Sequence, residues 1–255
     1  MTLRFLAPAA LALALAACGS NPATDTNGTA PAAPVASAKP PAGKAWTDVV
    51  SATPDGGFVM GNPAAPAKLI EFGSRLCPFC AKFDAEGFPA LKAGPIASGK
   101  MSYEFRDYPV HGAADLGPIV LGQCVDAPIF FPLLDQMMTD QQKLLGDEAS
   151  ENALFKNVGT MQQAGATPAQ IATTFAEKAG YLAYVKQRGV SEAKALACLN
   201  DPKAYEKIAK RADDATQKYQ ITGTPSFVLN GTPVDLGPSP DWAHLKPHLD
   251  AAGVM

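Results

Sequence analysis

Two cysteines in the stretch RLCPFCA, residues 75–81, have the residue type and the spacing for chemistry on sulfur. Cys77 and Cys80 are separated only by Pro78 and Phe79. Cysteine pairs of this kind hold a metal ion, close a small structural loop, or exchange electrons with other thiols and disulfides. The rest of the sequence decides among these three uses.

The other potential ligands do not complete a metal site. Structural zinc needs four ligands, commonly arranged as two close pairs. Cys124 and Cys198 are far apart in the sequence, and His244 and His248 are interrupted by Pro247 and lack an acidic partner motif. The two histidines are therefore expected to be a solvated surface pair. We predict no metal ion and no organic cofactor.

The elements around the cysteines favour electron exchange. The run KLIEF at 68–72 is apolar on both faces of an extended chain, which predicts a buried strand, and Pro78 suits the first turn of a helix. Cys77 then lies at a helix N-terminus, where the dipole and backbone N–H groups lower the pKa of a thiol from ~8.5. A purely structural disulfide to Cys80 would close a very small loop and stabilise little. Arg75 either adds positive potential or is a plain surface residue.

The remaining chain predicts an α/β fold with a long helical interval. MSYEFRD at 101–107 alternates apolar and polar residues, which is typical of a half-exposed strand. Residues 113–219 read as helical throughout, with a capping box from Thr167 to Gln170. PSFVLNGTPV at 225–234 predicts a hairpin, and a final helix follows it.

Three motifs together resemble the DsbA-like branch of the thioredoxin superfamily over residues 57–252. The resemblance implies a thioredoxin fold with an inserted all-helical subdomain at about 113–219. Three motifs in the family's order are far more specific than one CxxC. They are MGNPAAPAKLIEFGSRLCPFC at 60–80, YEFRDYPV at 103–110 and GTPSFVLNG at 223–231.

The resemblance also implies roles for individual residues. Cys77 is the exposed, attacking cysteine and Cys80 its buried partner, and Pro78 and Phe79 complete the active-site motif. Pro225 is a cis-proline beside them. Thr224 precedes it in the same loop, and a cis X–Pro bond leaves the neighbouring backbone free to pair with an extended substrate.

Glu71 matches the position at which DsbA-like proteins have an acid beneath the dithiol. Burial raises the pKa of a carboxyl group, so Glu71 is expected to pass protons to and from Cys80. The alternative is a glutamate at the end of a strand that forms a salt bridge with Lys68 or another base.

Cys124 and Cys198 both fall in the helical interval. In an oxidising compartment two such cysteines are expected to pair, and Cys198 lies in ALACLN as in relatives that have a second bridge. Two buried free thiols are the alternative. A bridge would close a loop of about 75 residues and contribute roughly 4 kcal/mol on the chain-entropy model.

The N-terminal residues predict export and lipid attachment. Residues 1–17 carry one basic residue, Arg4, and an apolar run too short for a comfortable transmembrane helix. The LAA that precedes Cys18 resembles the lipobox of bacterial lipoproteins, in which this cysteine carries the lipid; an ordinary signal peptide is the alternative. Residues 18–44 are rich in Pro and Ala and predict a disordered tether to a domain at 45–255.

These features predict a lipid-anchored thiol–disulfide oxidoreductase that faces the periplasm of a bacterial cell envelope. The expected partners are reduced or misfolded envelope proteins as substrates and a membrane redox partner. The formal net charge of −3 gives no indication of nucleic acid. Gly19 offers no acidic inner-membrane retention signal, which favours the outer membrane. Residues 19–44 have no apolar pattern for a dimerisation domain, so a monomer is expected.

The direction of electron flow, which decides whether the protein oxidises or reduces its substrates, follows from fewer residues than the fold does. Pro78 and Phe79 differ from the Pro-His of the family's archetypal strong oxidase, so a milder potential is expected. The missing dimerisation domain favours an oxidase over an isomerase or a reductase. A copper chaperone that binds Cu(I) through Cys77 and Cys80 is the rival from another class, because soft thiolates suffice for that ion.

Overall fold

The computed structural model of the chain describes residues 33–255. Along the chain, a block of helices separates the first four strands from the last two, and all six strands belong to one sheet. The strands are β1 (Val50–Ala52), β2 (Phe58–Gly61), β3 (Ala67–Gly73), β4 (Met101–Asp107), β5 (Ser226–Leu229) and β6 (Thr232–Val234). The helices are α1 (Pro78–Glu86), α2 (Phe88–Leu91), α3 (Leu116–Gln123), α4 (Ala127–Thr139), α5 (Gln141–Leu145), α6 (Glu148–Gln163), α7 (Pro168–Lys178), α8 (Tyr181–Lys186), α9 (Glu192–Leu199), α10 (Pro202–Tyr219) and α11 (Trp242–Ala251).

The strands form one mixed sheet in the order β1-β2-β4-β3-β5-β6. The central strands β3 and β4 are parallel, and the other neighbouring pairs are antiparallel. The connection between the two parallel strands contains α1 and α2, as a parallel crossover requires. The predicted α/β thioredoxin fold with a helical insertion is therefore confirmed, and α3 to α10 make up that insertion.

Alternate residues of β3 reach the two faces of the sheet. Leu69 packs in one core with side chains of α1, α2, α4 and α11, whereas Phe72 packs on the other face with Ala215 and Tyr219 of α10. The helical insertion has a further core of its own, to which α3, α7 and α8 contribute. The strand that leads to the cysteines is thus buried on both faces, as its apolar run predicts.

The prediction of a half-exposed strand at 101–107 is wrong. Strand β4 lies between β2 and β3, and its polar residues Ser102 and Glu104 are buried with its apolar ones. Glu104 is accommodated because Arg106 donates hydrogen bonds to both of its carboxylate oxygens, at 2.8 and 3.0 Å. The alternating pattern reports the two faces of a strand but not its place within the sheet.

Side-chain caps fix two of the helices that the sequence delimits. At the start of α7, the Thr167 hydroxyl accepts a hydrogen bond from the Gln170 N–H, while Gln170 Oε1 accepts one from the Thr167 N–H. This reciprocal arrangement is the predicted capping box. At the start of α10, the Asp201 carboxylate accepts a hydrogen bond from the Lys203 N–H at 3.0 Å.

The segment before the domain differs in part from the predicted tether at 18–44. The Val35 N–H donates to the Gly253 carbonyl at 2.9 Å, and the Ala38 N–H donates to the Ser98 carbonyl at 3.0 Å. The last residues of the predicted tether therefore lie against the domain, because they find backbone partners there and Val35 packs on the core.

The predicted signal peptide at 1–17, the lipidation site Cys18 and the first part of the tether lie outside the described residues. Within residues 33–255, none of the helices combines the length and the apolar character needed to cross a bilayer.

Candidate active site

The dithiol lies where β3 ends and α1 begins. Cys77 has extended backbone angles and is the N-cap residue of α1, and Pro78 occupies the first turn, where its missing N–H is not needed. The prediction of an exposed Cys77 is wrong, because its side chain is only 4% exposed beneath the loop that contains Pro225, while Cys80 is fully buried one turn into the helix, as predicted. Both are free thiols in this structure. The geometry leaves Cys77 as the thiol that a partner reaches first.

A loop from the far end of the chain covers Cys77. The Thr224–Pro225 peptide bond is cis, and the Thr224 carbonyl oxygen lies 3.2 Å from Cys77 Sγ, which donates to it as a thiol. The Thr224 hydroxyl is buried and has no hydrogen-bond partner among residues 33–255. This hydroxyl is therefore available to donate to Cys77 when the sulfur is ionised.

The surroundings of Cys77 lower its pKa from the ordinary 9.0 to about 6. The main cause is a hydrogen bond from the Cys80 thiol, which burial opposes. The Thr224 side chain and the N–H groups of Cys80 and Phe79 in the first helical turn stabilise the anion further. Cys77 is thus mainly a thiolate at neutral pH, the form that acts as nucleophile.

Cys80 is shifted in the opposite direction. Burial raises its pKa well above 9.0, and the hydrogen bond it makes to Cys77 and the charges of Glu71 and Cys77 raise it further. Only the Ser74 N–H, which donates to Cys80 Sγ at 3.5 Å, counteracts the rise. One thiolate nucleophile therefore stands beside one neutral thiol.

Glu71 belongs to strand β3, and its side chain is buried close to the dithiol. Tyr103 donates a 2.6 Å hydrogen bond to Glu71 Oε2. Burial raises the pKa of Glu71 from 4.5 to about 8, although the Tyr103 hydrogen bond lowers it in part. The alternative salt bridge is not formed among the described residues. The groups around Glu71 are Tyr103, Asp84 and Cys77, none of which is basic. The exposed Lys68, three positions along the strand, lies on the opposite face.

Arg75 is neither a surface residue nor a free positive charge beside the thiols. Its side chain is fully buried, and its Nε donates to Asp107 Oδ1 at 2.8 Å. Its guanidinium group lies over the Phe130 ring, 5.2 Å from the ring centroid. Gln123 also donates to Asp107, at 2.9 Å. The charge of Arg75 is therefore paired inside the domain, and the alternative that Arg75 is a plain surface residue is wrong.

Two further cysteines, Cys124 and Cys198, form a disulfide in this structure. Cys124 follows the last residue of α3, and Cys198 lies in α9. Their Cα atoms are 6.2 Å apart, and the bridge joins residues separated by 74 positions. It links two helices of the insertion and leaves the Cys77–Cys80 pair chemically separate.

Residues 33–255 contain no group of three or more His, Cys, Asp or Glu side chains arranged to hold a metal ion. His244 makes a 2.6 Å contact through Nδ1 with Asp241, the N-cap residue of α11. His244 thus takes part in a helix cap, in line with the surface location that the sequence suggests.

Sequence reasoning missed the buried polar residues that hold the active-site loop. The Ser74 hydroxyl donates to Asp115 at 2.6 Å, and Gln141 Nε2 lies 3.1 Å from the carbonyl oxygens of both Arg75 and Cys77. The sequence signal for Ser74 is its position directly after the buried strand β3 and three residues before Cys77. Gln141 offers no comparable signal, because only the tertiary structure brings α5 to the loop.

A shallow cavity of about 370 Å³ adjoins the dithiol. Phe79 of the active-site motif, which is 57% exposed, forms one side of it. Thr224, Pro225, Phe227 and Leu236 contribute to the remainder of its wall. The cavity thus places apolar side chains beside the cis-proline loop that contacts Cys77 Sγ.

A dithiol at the N-terminus of a helix that follows a central strand, opposite a cis-proline loop, defines a protein of the thioredoxin-fold class. A family model described as Thioredoxin matches residues 53–250, most of the chain. The chain therefore belongs to this family. The prediction of a DsbA-like member of the thioredoxin superfamily is confirmed. The predicted activity of a thiol–disulfide oxidoreductase is a proposal for this chain.

Individual relatives and structures show the same likeness. One relative is a Rickettsia bellii protein provisionally named a protein-disulfide oxidoreductase, which is 26% identical to this chain over 174 residues. The match covers 68% of this chain and 57% of the relative. The chain thus spans little more than half of that relative's length. The crystal structure of a protein-disulfide isomerase from Novosphingobium aromaticivorans is 28% identical with a TM-score of 0.64, covering 75% of this chain and 94% of that one. The crystal structure of Wolbachia pipientis α-DsbA1 shares the fold, with a TM-score of 0.54 at 21% identity over 76% of this chain and 89% of that one.

Proposed function

We propose that this protein exchanges disulfides with protein thiols through Cys77 and Cys80, and that it acts mainly as an oxidase. The observation that carries the proposal is the placement of Cys77 at the N-cap of α1, 3.2 Å from the Thr224 carbonyl oxygen, with Cys80 buried one turn later. This placement separates the two thiol pKa values, with Cys77 lowered to about 6 and Cys80 raised. A pair of titratable groups pushed apart in this way has distinct roles as nucleophile and partner. The proposal includes no metal ion and no organic cofactor.

The oxidised protein would act in two exchange steps. A substrate thiolate attacks Cys77 Sγ, the Cys77–Cys80 disulfide breaks, and Cys80 leaves with the electron pair as a thiolate. A second substrate thiolate then attacks the substrate sulfur of the mixed disulfide and expels Cys77 as a thiolate. The substrate has lost two electrons and gained a disulfide, and the protein is reduced. A membrane redox partner that accepts these electrons would restore the oxidised form.

Glu71 supports the step in which Cys80 changes its charge. A thiolate formed at Cys80 is buried and unfavourable, so it takes up a proton as soon as one is offered. Glu71, with its pKa near 8, is protonated in most molecules at neutral pH and is close enough for its charge to raise the pKa of Cys80. In this proposal it gives a proton to Cys80 during oxidation of a substrate and recovers it in the reverse reaction.

The ionisation of Cys77 supports the oxidising direction. With a pKa of about 6, roughly nine-tenths of Cys77 is thiolate at pH 7. A stable thiolate favours the reduced form and makes the disulfide a better oxidant. Phe79 in place of histidine removes one source of thiolate stabilisation, and Thr224 and the helical N–H groups supply others. We therefore place the potential on the oxidising side but below that of the strongest oxidases.

The surface beside Cys77 suits unfolded proteins as substrates. Phe79 and the wall of the adjoining cavity present apolar area, and the loop at Thr224 and Pro225 presents backbone to an extended chain. Reduced or misfolded proteins expose apolar segments around their cysteines, whereas folded proteins bury them. Substrate choice would then depend on exposure more than on a particular sequence.

The proposed location is the periplasmic side of a bacterial envelope. It depends on the signal-like residues 1–17 and on lipid attachment at Cys18, with the segment after it as a tether. The disulfide between Cys124 and Cys198 supports an oxidising compartment, since such bridges persist there. Anchoring in the outer membrane and a monomeric state complete the proposal.

An isomerase or reductase is the second candidate, because the Novosphingobium aromaticivorans neighbour is named a protein-disulfide isomerase. The reduction potential of the dithiol separates the candidates. A value near ~−120 mV indicates an oxidase, and a value near thioredoxin's ~−270 mV indicates a reductase. Renaturation of a scrambled disulfide protein, compared with that of a reduced one, detects isomerase activity.

The direct test uses the purified oxidised protein and a reduced, unfolded protein with several cysteines. Disulfides should appear in the substrate in proportion to the protein added. When Cys80→Ser is instead given a disulfide-bonded substrate, its Cys77 thiolate attacks one substrate sulfur, expels the other as a thiolate, and should stay in a mixed disulfide because the resolving thiol is missing. Cys77→Ser should be inactive. Stoichiometric binding of Cu(I), with no disulfide formation by the wild type, would overturn the proposal in favour of a copper chaperone.

A further inference from the structure

We propose that Ser74 and Asp115 form a positioning unit for Cys80, in which Asp115 fixes Ser74 so that the Ser74 N–H stabilises the Cys80 thiolate. The inference deepens the proposed function and rests on it. It concerns the buried cysteine, whose anion must form and react during every exchange cycle, and it assigns this task to residues outside the CxxC motif.

Ser74 makes three hydrogen bonds to residues of the active-site loop and of the first turn of α1. Its N–H donates to Cys80 Sγ at 3.5 Å, and its carbonyl oxygen accepts a hydrogen bond from the Cys77 N–H at 3.2 Å. Its hydroxyl oxygen accepts from the Leu76 N–H at 3.0 Å. The side chain is fully buried. A shift of this one residue would therefore move a donor to the buried sulfur and an acceptor for the attacking cysteine's N–H.

Asp115 holds the Ser74 side chain from the start of the helical insertion. Its Oδ1 accepts the Ser74 hydroxyl at 2.6 Å, and its Oδ2 accepts the His111 N–H at 2.6 Å. The Asp115 side chain is completely buried, and the His111 ring lies beside it with Nδ1 3.3 Å from Oδ2. The hydrogen bond to Asp115 raises the pKa of His111, which favours a positive charge next to the buried carboxylate. Asp115 is thus a buried acceptor with a hydrogen bond to each of its carboxylate oxygens.

The unit acts on Cys80 because little else stabilises its anion. Burial, the hydrogen bond to Cys77 and the charges of Glu71 and Cys77 all disfavour the Cys80 thiolate, and the Ser74 N–H is the group that opposes them. Cys77 has several other donors, from Cys80, Thr224 and the first helical turn. Loosening Ser74 should therefore impair reactions of Cys80 and spare the first attack by Cys77.

The two thiols can be observed separately with the aromatic disulfide dithiobis(nitrobenzoate) and the reduced protein. The Cys77 thiolate attacks one sulfur of the reagent, forms a mixed disulfide and releases one nitrothiobenzoate anion. Cys80, after losing its proton through Glu71 to solvent, attacks Cys77 Sγ, closes the Cys77–Cys80 disulfide and releases the second anion. The reagent gains the two electrons that the protein loses, and the coloured anion reports each step.

In Ser74→Ala the second release should slow at neutral pH while the first stays within twofold of the wild type. A rise of about one unit in the Cys80 pKa would cut its thiolate fraction about tenfold, and the higher basicity of that thiolate would restore about threefold. We therefore expect a net slowing of about threefold and a shift of about one unit to higher pH in the pH profile of the second release. Asp115→Asn should change both quantities in the same direction.

Two control variants make the result specific. Thr224→Val removes a donor to Cys77 and should change the first release with little effect on the second. Ser98→Ala removes an equivalent hydroxyl, bonded to the Pro95 carbonyl, and should change neither. Circular dichroism and thermal melting establish that each variant is folded. If Ser74→Ala does not fold, Asp115→Asn, which preserves the shape of the side chain, provides the test.

The inference is overturned if folded Ser74→Ala and Asp115→Asn show a second release with the rate and pH profile of the wild type. It is also overturned if both releases slow equally, since that indicates general damage to the loop. If the wild type itself releases no second anion, the proposed redox function fails, and this outcome is distinct because the variants are not needed to see it.

Discussion

Tyr103 on β4 donates a 2.6 Å hydrogen bond to Glu71 on the neighbouring strand β3, directly beneath the dithiol. Both side chains are buried in the same core face. The hydroxyl stabilises the carboxylate form in a place where burial strongly favours the neutral acid. The pair therefore determines how readily Glu71 releases its proton.

Tyr103→Phe should raise the pKa of Glu71 above its present value of about 8. A hydrogen bond to a charged group contributes about 1.5 kcal/mol, which corresponds to roughly one pH unit. The variant should therefore move the Glu71 titration in a pH–rate profile of disulfide exchange upward by about that amount. Tyr108→Phe is the matched control, because its hydroxyl bonds to the Ile221 carbonyl in another core. Equal profiles for the wild type and Tyr103→Phe would contradict a role for Glu71 in proton transfer.

Glu71→Gln should stabilise the protein increasingly as the pH rises. The pKa of Glu71 is about 8 in the folded chain and near 4.5 when unfolded, so between these values the folded state holds one more proton. The free energy of unfolding then falls as the pH rises through this window, by a few kcal/mol in total. Glutamine has no such titration and removes that part of the slope.

Urea unfolding of the wild type and of Glu71→Gln at pH 5 and pH 9 measures the effect. The free-energy difference between the two proteins should grow by about 3 kcal/mol or more toward pH 9. Any fixed cost of burying the glutamine amide cancels in this comparison. A difference that is the same at both values would show that Glu71 is already ionised in the folded protein.

The Cys124–Cys198 bridge should contribute stability but not chemistry. It closes a loop across 74 positions, and the chain-entropy model gives about 4 kcal/mol for a loop of that size. The double variant Cys124→Ala/Cys198→Ala should lose about this free energy of unfolding in denaturant titration. The pKa of Cys77, followed by thiolate absorbance, should stay near 6. A large change in that pKa would instead tie the bridge to the active site.

Local sequence patterns predicted the parts of the site that depend on neighbours along the chain. The strand at 68–72 and the helix start at Pro78 follow from residues within a few positions, as does the part of the Cys77 pKa shift that its own helical turn supplies. The capping box at Thr167 is equally local. In each case the interaction and the signal occupy the same short segment.

The parts that were wrong or missed depend on partners far away in the sequence. Arg75 is buried because Asp107, 32 residues later, lies at the end of the adjacent strand. Strand β4 is buried on both faces because of its position in the sheet order, which no alternation of residues encodes. Ser74 gains its role only when Asp115, 41 residues away, is brought to it.

Gln141 of α5 should prove important for the loop that carries Cys77. Its Nε2 lies within 3.1 Å of both the Arg75 and the Cys77 carbonyl oxygens, and the side chain is buried. Replacing it by methionine keeps its length and removes the donor, which leaves a buried carbonyl at Arg75 without this partner. The expected loss is about 1–3 kcal/mol in the free energy of unfolding, measured in urea.

The adjacent Gln142→Met is the matched control for Gln141→Met. Gln142 Nε2 also donates to a carbonyl, that of Gly146 at 2.7 Å, but does so at the surface, where water replaces the lost hydrogen bond. Its variant should stay within about 0.5 kcal/mol of the wild type. Because the Cys77 carbonyl also accepts from the Ala81 N–H, α1 should keep its first turn in both variants. Equal stabilities for the two variants would show that the insertion does not hold the active-site loop through this amide.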